Sequence, residues 1–281
     1  MMAALAELAS FLSDRIGLSV DQRRQASIES RLAPVMAEAA TKDLRELVAR
    51  LRRGAVPELI DRAIDAMVTC ETLFFRDRLP FQSMRTVVLP KLRESRERTR
   101  TLRIWSAACA TGQEPYSIAM LLDEMSRQFL GWRVDIVASD ISRAALAVAA
   151  AGRYSQFEVQ RGLSTPLLLR HFRQDNGCWL INEHLRAAVD FRRVNLTSDF
   201  SRQGVFDVIL CRNALMYMDV ARRRDILVRI AQQLSPDGYL MLGATETVVG
   251  LSDDFAPAGG YAGLFRRAVS DKRKLRLVAN S

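Results

Sequence analysis

Four polar side chains follow four short apolar runs that have the length and composition of buried β-strands. They are Glu114, Asp140, Asn195 and Asn213. In an open α/β sheet, ligands bind at the edge formed by the carboxyl ends of the strands, so these side chains are predicted to face one ligand. The segment after the first run, Ser106–Tyr116, contains small residues that let a backbone approach a ligand, but its single glycine excludes a dinucleotide fingerprint.

Each of these four residues also has a purely structural interpretation. Glu114 stands at a helix start, where the helix dipole favours an acid and where the acid would repel a phosphate and attract a cation. Asp140 either accepts hydrogen bonds from ribose hydroxyls or caps the next helix. Asn195 and Asn213 either bind an adenine edge or an amino-acid head group, or occupy turns. As a set without a phosphate loop, they suit a positively charged nucleoside with an amino-acid tail, and S-adenosylmethionine fits that description.

The apolar pattern predicts the elements that must position these residues. Helical spacing predicts an all-helical N-terminal domain over residues 1–70, in which Asp21 starts a helix and Pro34 kinks or ends it. Residues 71–100 are predicted to form a linker and a connecting helix. Over residues 101–281, strands alternate with helices, which predicts a Rossmann-like, doubly wound α/β domain with mainly parallel strands.

Three local signals refine that domain. Asn176–Gly177 predicts a hairpin, and therefore a small antiparallel β insertion at about residues 172–191, with a plain loop as the alternative. Pro236–Gly238 predicts a turn before a strand at Tyr239–Leu242. The polar, basic tail from Ser270 is expected to be frayed.

Composition and charge narrow the class of protein. The 281 residues are 49% hydrophobic and 26% charged, as in a globular protein, and we expect no signal peptide or membrane span because Glu7 and Asp14 interrupt the first apolar runs. Four dispersed cysteines and two histidines make a poor metal site, so we expect a cytoplasmic protein with reduced thiols and no metal. The formal charge of +9 is concentrated in residues 76–103, which hold nine basic and three acidic side chains. Such a local excess favours an acidic partner over non-specific nucleic-acid binding.

Four longer motifs resemble the CheR family of chemotaxis receptor methyltransferases. They are Glu71–Asp77, Ile104–Ala119, Cys211–Asp219 and Gly243–Glu246, in the family's order and spacing. The resemblance implies a helical N-terminal domain, a linker, and a Rossmann-like S-adenosylmethionine-dependent methyltransferase domain with a small β-subdomain. It also implies methyl transfer to glutamate side chains in the cytoplasmic helical region of chemoreceptors, with S-adenosylhomocysteine as the second product. We expect a monomer that inserts into no membrane and binds no nucleic acid.

The resemblance also implies roles for individual residues. It places the following around the cofactor: Thr72, Arg76, Ala108, Glu114, Asp140, Asn195, Leu196, Asn213 and Ala214. It places Tyr217 beside the methyl group and makes Arg76 and Tyr217 the expected catalytic residues. Arginines of the N-terminal domain are candidates to bind acidic receptor helices, or else form an ordinary solvated face. These are Arg23, Arg24, Arg31, Arg50 and Arg53, with Arg52 and Arg62 as further candidates.

The chain departs from the family pattern in ways that bear on function. Cys70 stands where family members usually have Asn, which removes one expected cofactor hydrogen bond. The turn Arg173–Gly177 is shorter than the glycine-rich loop of members that tether to a receptor pentapeptide, so we expect no such tether. Two alternatives remain: a nucleic-acid methyltransferase, disfavoured because Cys211–Leu215 lacks a Pro-Pro-aromatic sequence, and a non-catalytic cofactor-binding module, which the Cys70 departure alone supports.

Overall fold

Four helices form the N-terminal part of the chain in a computed structural model that describes residues 2–54 and 56–268. The helices are α1 (Met2–Ile16), α2 (Gln25–Glu38), α3 (Leu44–Arg53) and α4 (Pro57–Met67). Their apolar faces, such as Leu8, Leu32 and Leu47, form a hydrophobic core of their own. The predicted tail from Ser270 lies outside the described residues.

One boundary signal in this region is confirmed and one is partly wrong. The Asp21 side chain caps a short 3-10 turn, Gln22–Arg24, that leads into α2. Pro34 does not end α2, which continues to Glu38. Because Leu32 and Val35 are buried on either side of it, core packing outweighs the hydrogen bond that proline cannot make.

The next segment connects the helices to the sheet. A linker over residues 68–78 is followed by α5 (Leu79–Ser83), a π-helical turn at Met84–Val88 and α6 (Leu89–Ser95). In the linker, Phe75, Asp77 and Arg78 have φ angles of 49°, 67° and 52°, in the left-handed region that non-glycine residues rarely adopt. The linker packs so closely on Gly162 that a Cβ there would lie 1.9 Å from the carbonyl oxygen of Phe74.

The main sheet has seven strands and the predicted parallel character. In chain order they are β1 (Thr101–Ala107), β2 (Arg133–Asp140), β6 (Val189–Arg193), β7 (Phe206–Cys211), β8 (Leu234–Leu242), β9 (Phe255–Pro257) and β10 (Leu264–Arg267). Their spatial order is β6-β2-β1-β7-β8-β10-β9: the first five strands pair in parallel, and β10 pairs antiparallel with both β8 and β9. Strands β2 and β6 extend the sheet on one side of β1, and β7 and β8 extend it on the other side. The strand order therefore reverses between β1 and β7, and sheets of this kind bind ligands at such a reversal.

Helices cover both faces of this sheet. The longer ones are α7 (Gln113–Glu124), α8 (Arg143–Ala151) and α12 (Val220–Gln233). Two hydrophobic cores form, one containing Ile104 and Tyr116 and the other containing Trp105 and Ile209, because neighbouring residues of a strand point to opposite faces. The predicted turn Pro236–Gly238 lies inside strand β8 instead, where the pairing with β7 shifts register.

The small antiparallel sheet is present but begins earlier than predicted. It has the order β3-β5-β4, with β3 at Arg153–Tyr154, β4 at Phe172–Asp175 and β5 at Cys178–Ile181. Short helices α9 (Gln156–Gln160), α10 (Thr165–His171) and α11 (Glu183–Ala187) surround it. The predicted range of 172–191 is therefore displaced: a two-residue strand such as β3 leaves no periodic pattern, and Val189–Arg193 belongs to the main sheet because it pairs with β2.

The basic stretch at residues 76–103 is partly neutralised within the protein. Arg85 pairs with Glu124, and Arg96 pairs with Asp207 at 2.8 Å and also with Asp237. Arg103 lies 3.7 Å from Asp135. These contacts join the connecting segment to α7, β7 and β8, and β1 to β2, so part of the charge excess has a structural use.

Candidate active site

A cavity of about 970 Å³, including its open mouth, lies at the carboxyl ends of β1, β2, β6 and β7. All ten residues predicted to bind the cofactor or to act in catalysis line it: Thr72, Arg76, Ala108, Glu114, Asp140, Asn195, Leu196, Asn213, Ala214 and Tyr217. They come from the linker and from the loops that follow four strands. Placement in one cavity brings these residues together, while their individual roles stay predictions.

The loop after β1 forms the floor beside the switch point. Ala108, Ala110 and Gly112 have φ angles of 57°, 50° and 94°, and Gly112 is the N-cap of α7. Alanine rarely adopts left-handed φ angles. Such strained conformations occur mostly at functional sites, where contacts with the surrounding structure impose them. One such restraint is the Ala110 backbone N–H, which donates to the Asp140 carboxylate at 2.9 Å.

Asp140 is a buried carboxylate held by main-chain donors. It accepts from the N–H groups of Ala110 and Ser142, both at 2.9 Å. It does not cap α8, because the Ser142 hydroxyl does so by accepting from Ala145. Burial raises the pKa of Asp140 above its usual range, although these N–H groups oppose the shift by favouring the ionised form.

Glu114 is held on both sides within the first turn of α7. One carboxylate oxygen accepts from the Ser106 hydroxyl at 2.8 Å, and the other lies 2.9 Å from a guanidinium nitrogen of Arg212. The side chain is 10% exposed, so its carboxylate is largely shielded from bulk water. Sequence reasoning assigned no role to Arg212, although it is the second residue of the recognised Cys211–Asp219 motif.

The Asn195 side chain has a structural task. Its amide nitrogen donates to the backbone carbonyl of Arg15 at 2.7 Å, and its oxygen accepts from the N–H and hydroxyl of Thr197 at 3.0 and 2.8 Å. The turn interpretation therefore describes this side chain, which leaves the main chain of Asn195 and the buried Leu196 to line the cavity.

The loop after β7 carries Asn213, Ala214 and Tyr217 and is fixed by Glu246. The Glu246 carboxylate accepts from the backbone N–H groups of Asn213 at 2.6 Å, Gly243 at 2.9 Å and Met216 at 3.1 Å. Asn213 has a φ of 58°, a conformation that asparagine tolerates better than most residues. Tyr217 is 38% exposed, so its ring is accessible from the mouth of the cavity.

The linker crosses the cavity with Cys70, Thr72 and Arg76. A guanidinium nitrogen of Arg76 donates to the backbone carbonyl of Glu71 at 3.1 Å. Burial, with a smaller contribution from the charge of Asp140, raises the pKa of the Cys70 thiol to about 11. The thiol is thus protonated at neutral pH and offers only a weak donor where the family pattern has an amide.

The N-terminal domain supplies part of the wall, which the sequence did not predict. Ile16 at the end of α1 and Leu18 just beyond it line the cavity. The Ser19 N–H donates to the Tyr217 carbonyl at 2.8 Å. Asp61 of α4 pairs with Arg143 at 2.9 Å and with Arg193, so the domain is joined to α8 and β6 by charge as well. One sequence feature could have indicated this wall: the apolar residue Leu18 directly follows Gly17, which ends the first helix.

Comparison with known proteins decides the family. Residues 70–263 match the model of the CheR methyltransferase SAM-binding domain, and residues 3–68 match that of the CheR methyltransferase all-alpha domain. The chain belongs to the CheR methyltransferase family. It is therefore a methyltransferase dependent on S-adenosylmethionine, and the recognition of this family from its motifs is confirmed.

Relatives in this family are similar along nearly their whole length. Chemotaxis protein methyltransferase 1 of Pseudomonas aeruginosa is 40% identical over 264 residues, covering 92% of this chain and 95% of that protein. The chemotaxis protein methyltransferase of Vibrio parahaemolyticus is 37% identical, covering 89% and 90%. Among solved structures, TrmN of Thermus thermophilus is similar over 68% of this chain and 52% of that one, at 16% identity and a TM-score of 0.37, a likeness too low to assign function.

The residues of the CheR-family cavity fit S-adenosylmethionine. Glu114 and Asp140, each 7% exposed, place two carboxylates where a cationic nucleoside would lie. Apolar side chains of Ile16, Leu18 and Leu196 offer surfaces for a base. Among residues 2–54 and 56–268, no group of three or more His, Cys, Asp or Glu side chains is arranged to hold a metal ion.

The arginines predicted to bind substrate lie away from this cavity. Of the lining residues in the described chain, none is Arg23, Arg24, Arg31, Arg50 or Arg53. Several are engaged locally: Arg23 with Asp21, Arg50 with Glu46, Arg62 with Glu38, and Arg31 with the carbonyl of Val68 at 2.6 Å.

None of the helices in the described part of the chain has the length and apolar character of a membrane span.

Proposed function

We propose that this protein transfers the methyl group of S-adenosylmethionine to glutamate side chains in the cytoplasmic helical region of chemoreceptors, forming glutamyl methyl esters in sensory adaptation. The observation that carries the proposal is the meeting of Arg76 from the linker and Tyr217 from the loop after β7 at one cavity with Glu114 and Asp140. Relatives described as chemotaxis protein methyltransferases support the acceptor.

The chemistry asks little of the protein beyond positioning. S-adenosylmethionine, when bound, supplies an electrophilic methyl group. A glutamate acceptor is already ionised at neutral pH, since its ordinary pKa is about 4.3, so no general base is needed. Arg76 is the cation at the cavity that can orient the acceptor carboxylate, and Tyr217 can hydrogen-bond it or pack against the cofactor. Orientation of this kind contributes up to about 7–11 kcal/mol in well-aligned systems.

Glu114 and Asp140 act on the cofactor side of the same cavity. Glu114 offers a fixed carboxylate to a cationic amino-acid group, and Asp140 offers acceptors to ribose hydroxyls. Exclusion of water strengthens these interactions, because both carboxylates are buried and electrostatic attraction grows as the local dielectric falls.

A transfer assay tests the acceptor. The protein is incubated with radiolabelled S-adenosylmethionine and either receptor-containing membranes or nucleic acid, and the labelled product is treated with base. We expect label on the receptor that is released by base, as a glutamyl ester would be. Base-stable label on nucleic acid would support the rival enzyme, and cofactor binding without transfer would support the non-catalytic module.

We further propose that the protein acts without a receptor pentapeptide tether and as a cytoplasmic monomer. The β4–β5 connection is the two-residue turn Asn176–Gly177, with φ angles of 50° and 76°, so it has no long glycine-rich loop. Titration of the pentapeptide by calorimetry should give no measurable heat, and micromolar binding would contradict this part. Sedimentation should give one species at the mass of a single chain.

A further inference from the structure

Arg212, at the end of β7, has a nearly fully buried guanidinium that faces away from solvent. Its side chain is 2% exposed. One terminal nitrogen, Nη1, donates to Glu114 Oε2 at 2.9 Å. The other, Nη2, donates to Asp77 Oδ2 at 2.6 Å and to the backbone carbonyl of Arg76 at 2.9 Å. An arginine this deeply buried requires such partners, because an unpaired buried charge is costly.

These contacts join three segments that are distant in sequence. Glu114 is 98 residues and Asp77 is 135 residues from Arg212 along the chain. Since the Ser106 hydroxyl holds the other oxygen of Glu114, the carboxylate is a fixed point of the cavity. The Arg212 side chain therefore links this fixed point directly to the linker.

The linker needs such an anchor because its backbone is strained around Arg76. Phe75, Asp77 and Arg78 have left-handed φ angles, which persist only where surrounding contacts impose them. The Phe75 N–H donates to the Ser117 hydroxyl at 2.9 Å and anchors one side. Arg212 holds the other side, at the carbonyl of Arg76 and the carboxylate of Asp77.

We propose that Arg212 is a positioning residue, whose buried guanidinium ties the linker to Glu114 and thereby holds the Arg76 side chain at the cavity. This inference rests on the proposed function, in which Arg76 orients the acceptor. Two separate Nη atoms serve two separate carboxylates, a geometry that the single ammonium of lysine cannot reproduce. The Arg212 guanidinium acts through Arg76 and Glu114 and not on the acceptor itself.

The test compares Arg212→Lys and Asp77→Asn with wild-type protein in three measurements: S-adenosylhomocysteine affinity by calorimetry, hydrogen exchange of residues 71–79, and kcat for methyl transfer. For Asp77→Asn we expect an affinity within about threefold of wild type, faster linker exchange and a kcat lowered at least about tenfold. Arg212→Lys should give the same linker exchange and kcat loss, and the double variant should be no worse than Arg212→Lys alone.

A matched control is Arg96→Lys. Arg96 also bridges segments, through Asp207 and Asp237, but at the opposite edge of the sheet. It should lower thermal stability while leaving linker exchange and kcat unchanged. Unchanged linker exchange in Arg212→Lys would overturn the inference, as would additive losses in the double variant. If wild-type protein methylates no glutamate, the proposed function fails, whereas linker exchange still decides whether Arg212 anchors this segment.

Discussion

At the residue scale, the proposed function assigns one group to the acceptor and other groups to the cofactor. Arg76 belongs to the linker, while Glu114 and Asp140 follow β1 and β2 and are buried. The exposed ring of Tyr217 lies where an incoming side chain would arrive. This division predicts that substitutions will affect turnover and cofactor affinity unequally.

Arg76→Ala should lower kcat for methyl transfer by about 100-fold or more, because the acceptor carboxylate loses its orienting cation. The affinity for S-adenosylhomocysteine should change much less than kcat. Steady-state kinetics with receptor membranes and calorimetry with S-adenosylhomocysteine measure the two effects. Arg98→Ala, an exposed arginine of the same basic stretch, is the control and should retain the wild-type rate. A wild-type kcat in Arg76→Ala would remove the assigned role.

We expect Asp140 to make cofactor affinity depend on pH. Burial raises the pKa of Asp140 above its ordinary value of 3.8, and in the proposed role its ionised form accepts hydrogen bonds from the ribose hydroxyls. Affinity for S-adenosylhomocysteine should therefore fall as pH is lowered through the raised pKa, and binding in that window should release a proton. The pH dependence of stability has the opposite direction. Because the folded state holds this proton more tightly than the unfolded chain, the free energy of unfolding falls as pH rises and Asp140 ionises.

Calorimetry across that window, in buffers of different ionisation enthalpy, measures both the affinity and the proton release. Asp140→Asn is the matched control, because an amide keeps the size of the side chain but does not titrate. The variant should bind more weakly and without this pH dependence. An identical pH profile in the variant would show that another group titrates.

At the element scale, the loop after β7 depends on a carboxylate outside it. Glu246 accepts three backbone hydrogen bonds that fix Gly243, Asn213 and Met216. The left-handed Asn213 and the position of Tyr217 both follow from these bonds. The structure thus gives the acid of the Gly243–Glu246 motif a role: a single side chain sets the path of the loop after β7.

Glu246→Gln should destabilise the protein by about 1–3 kcal/mol, because an amide nitrogen would face a backbone N–H that now has an acceptor. It should also lower kcat, since Tyr217 belongs to the loosened loop. Thermal unfolding and methyl-transfer kinetics test the two effects. Asp253→Asn, an exposed acid a few residues later, should change neither. A Glu246→Gln variant with wild-type unfolding and turnover would contradict this account.

Local sequence signals predicted the elements better than the contacts between them. The alternation of strands and helices gave the parallel sheet, and the residues after each strand gave the cavity, because parallel strands bring their carboxyl ends to one edge. The two-residue strand β3 had too few residues for a periodic pattern. The Arg212 contacts were not predictable, since they join residues 98 and 135 positions apart that only the folded chain brings together. For the same reason, the sequence did not predict the hydrogen bond from the Asn195 side chain to the backbone carbonyl of Arg15 in α1.

At the scale of the whole molecule, the N-terminal domain contributes to the cofactor cavity as well as to the outer surface. Ile16 and Leu18 form part of the wall, and Asp61 joins the domain to Arg143 and Arg193. The Asp61 side chain is 16% exposed, so this ion-pair cluster is partly shielded from screening. Cofactor affinity should therefore depend on how firmly the two regions are held together.

Asp61→Asn should weaken S-adenosylhomocysteine binding severalfold and cost up to about 1 kcal/mol of stability, since two solvent-accessible arginines lose a charged acceptor. Calorimetry and hydrogen exchange of residues 14–20 measure these effects. Glu38→Gln removes an exposed ion pair with Arg62 within the N-terminal domain and should leave cofactor affinity unchanged. Equal affinity in Asp61→Asn and wild type would show that the wall is held by other contacts.

The contacts between α1 and the loops after β6 and β7 use main-chain atoms of the N-terminal segment. The Asn195 amide donates to the carbonyl of Arg15, and the N–H of Ser19 donates to the carbonyl of Tyr217. Any residue at position 15, and any residue except proline at position 19, supplies the same backbone groups. Substitutions on the outward face of α1 should therefore leave these hydrogen bonds to the cavity loops intact.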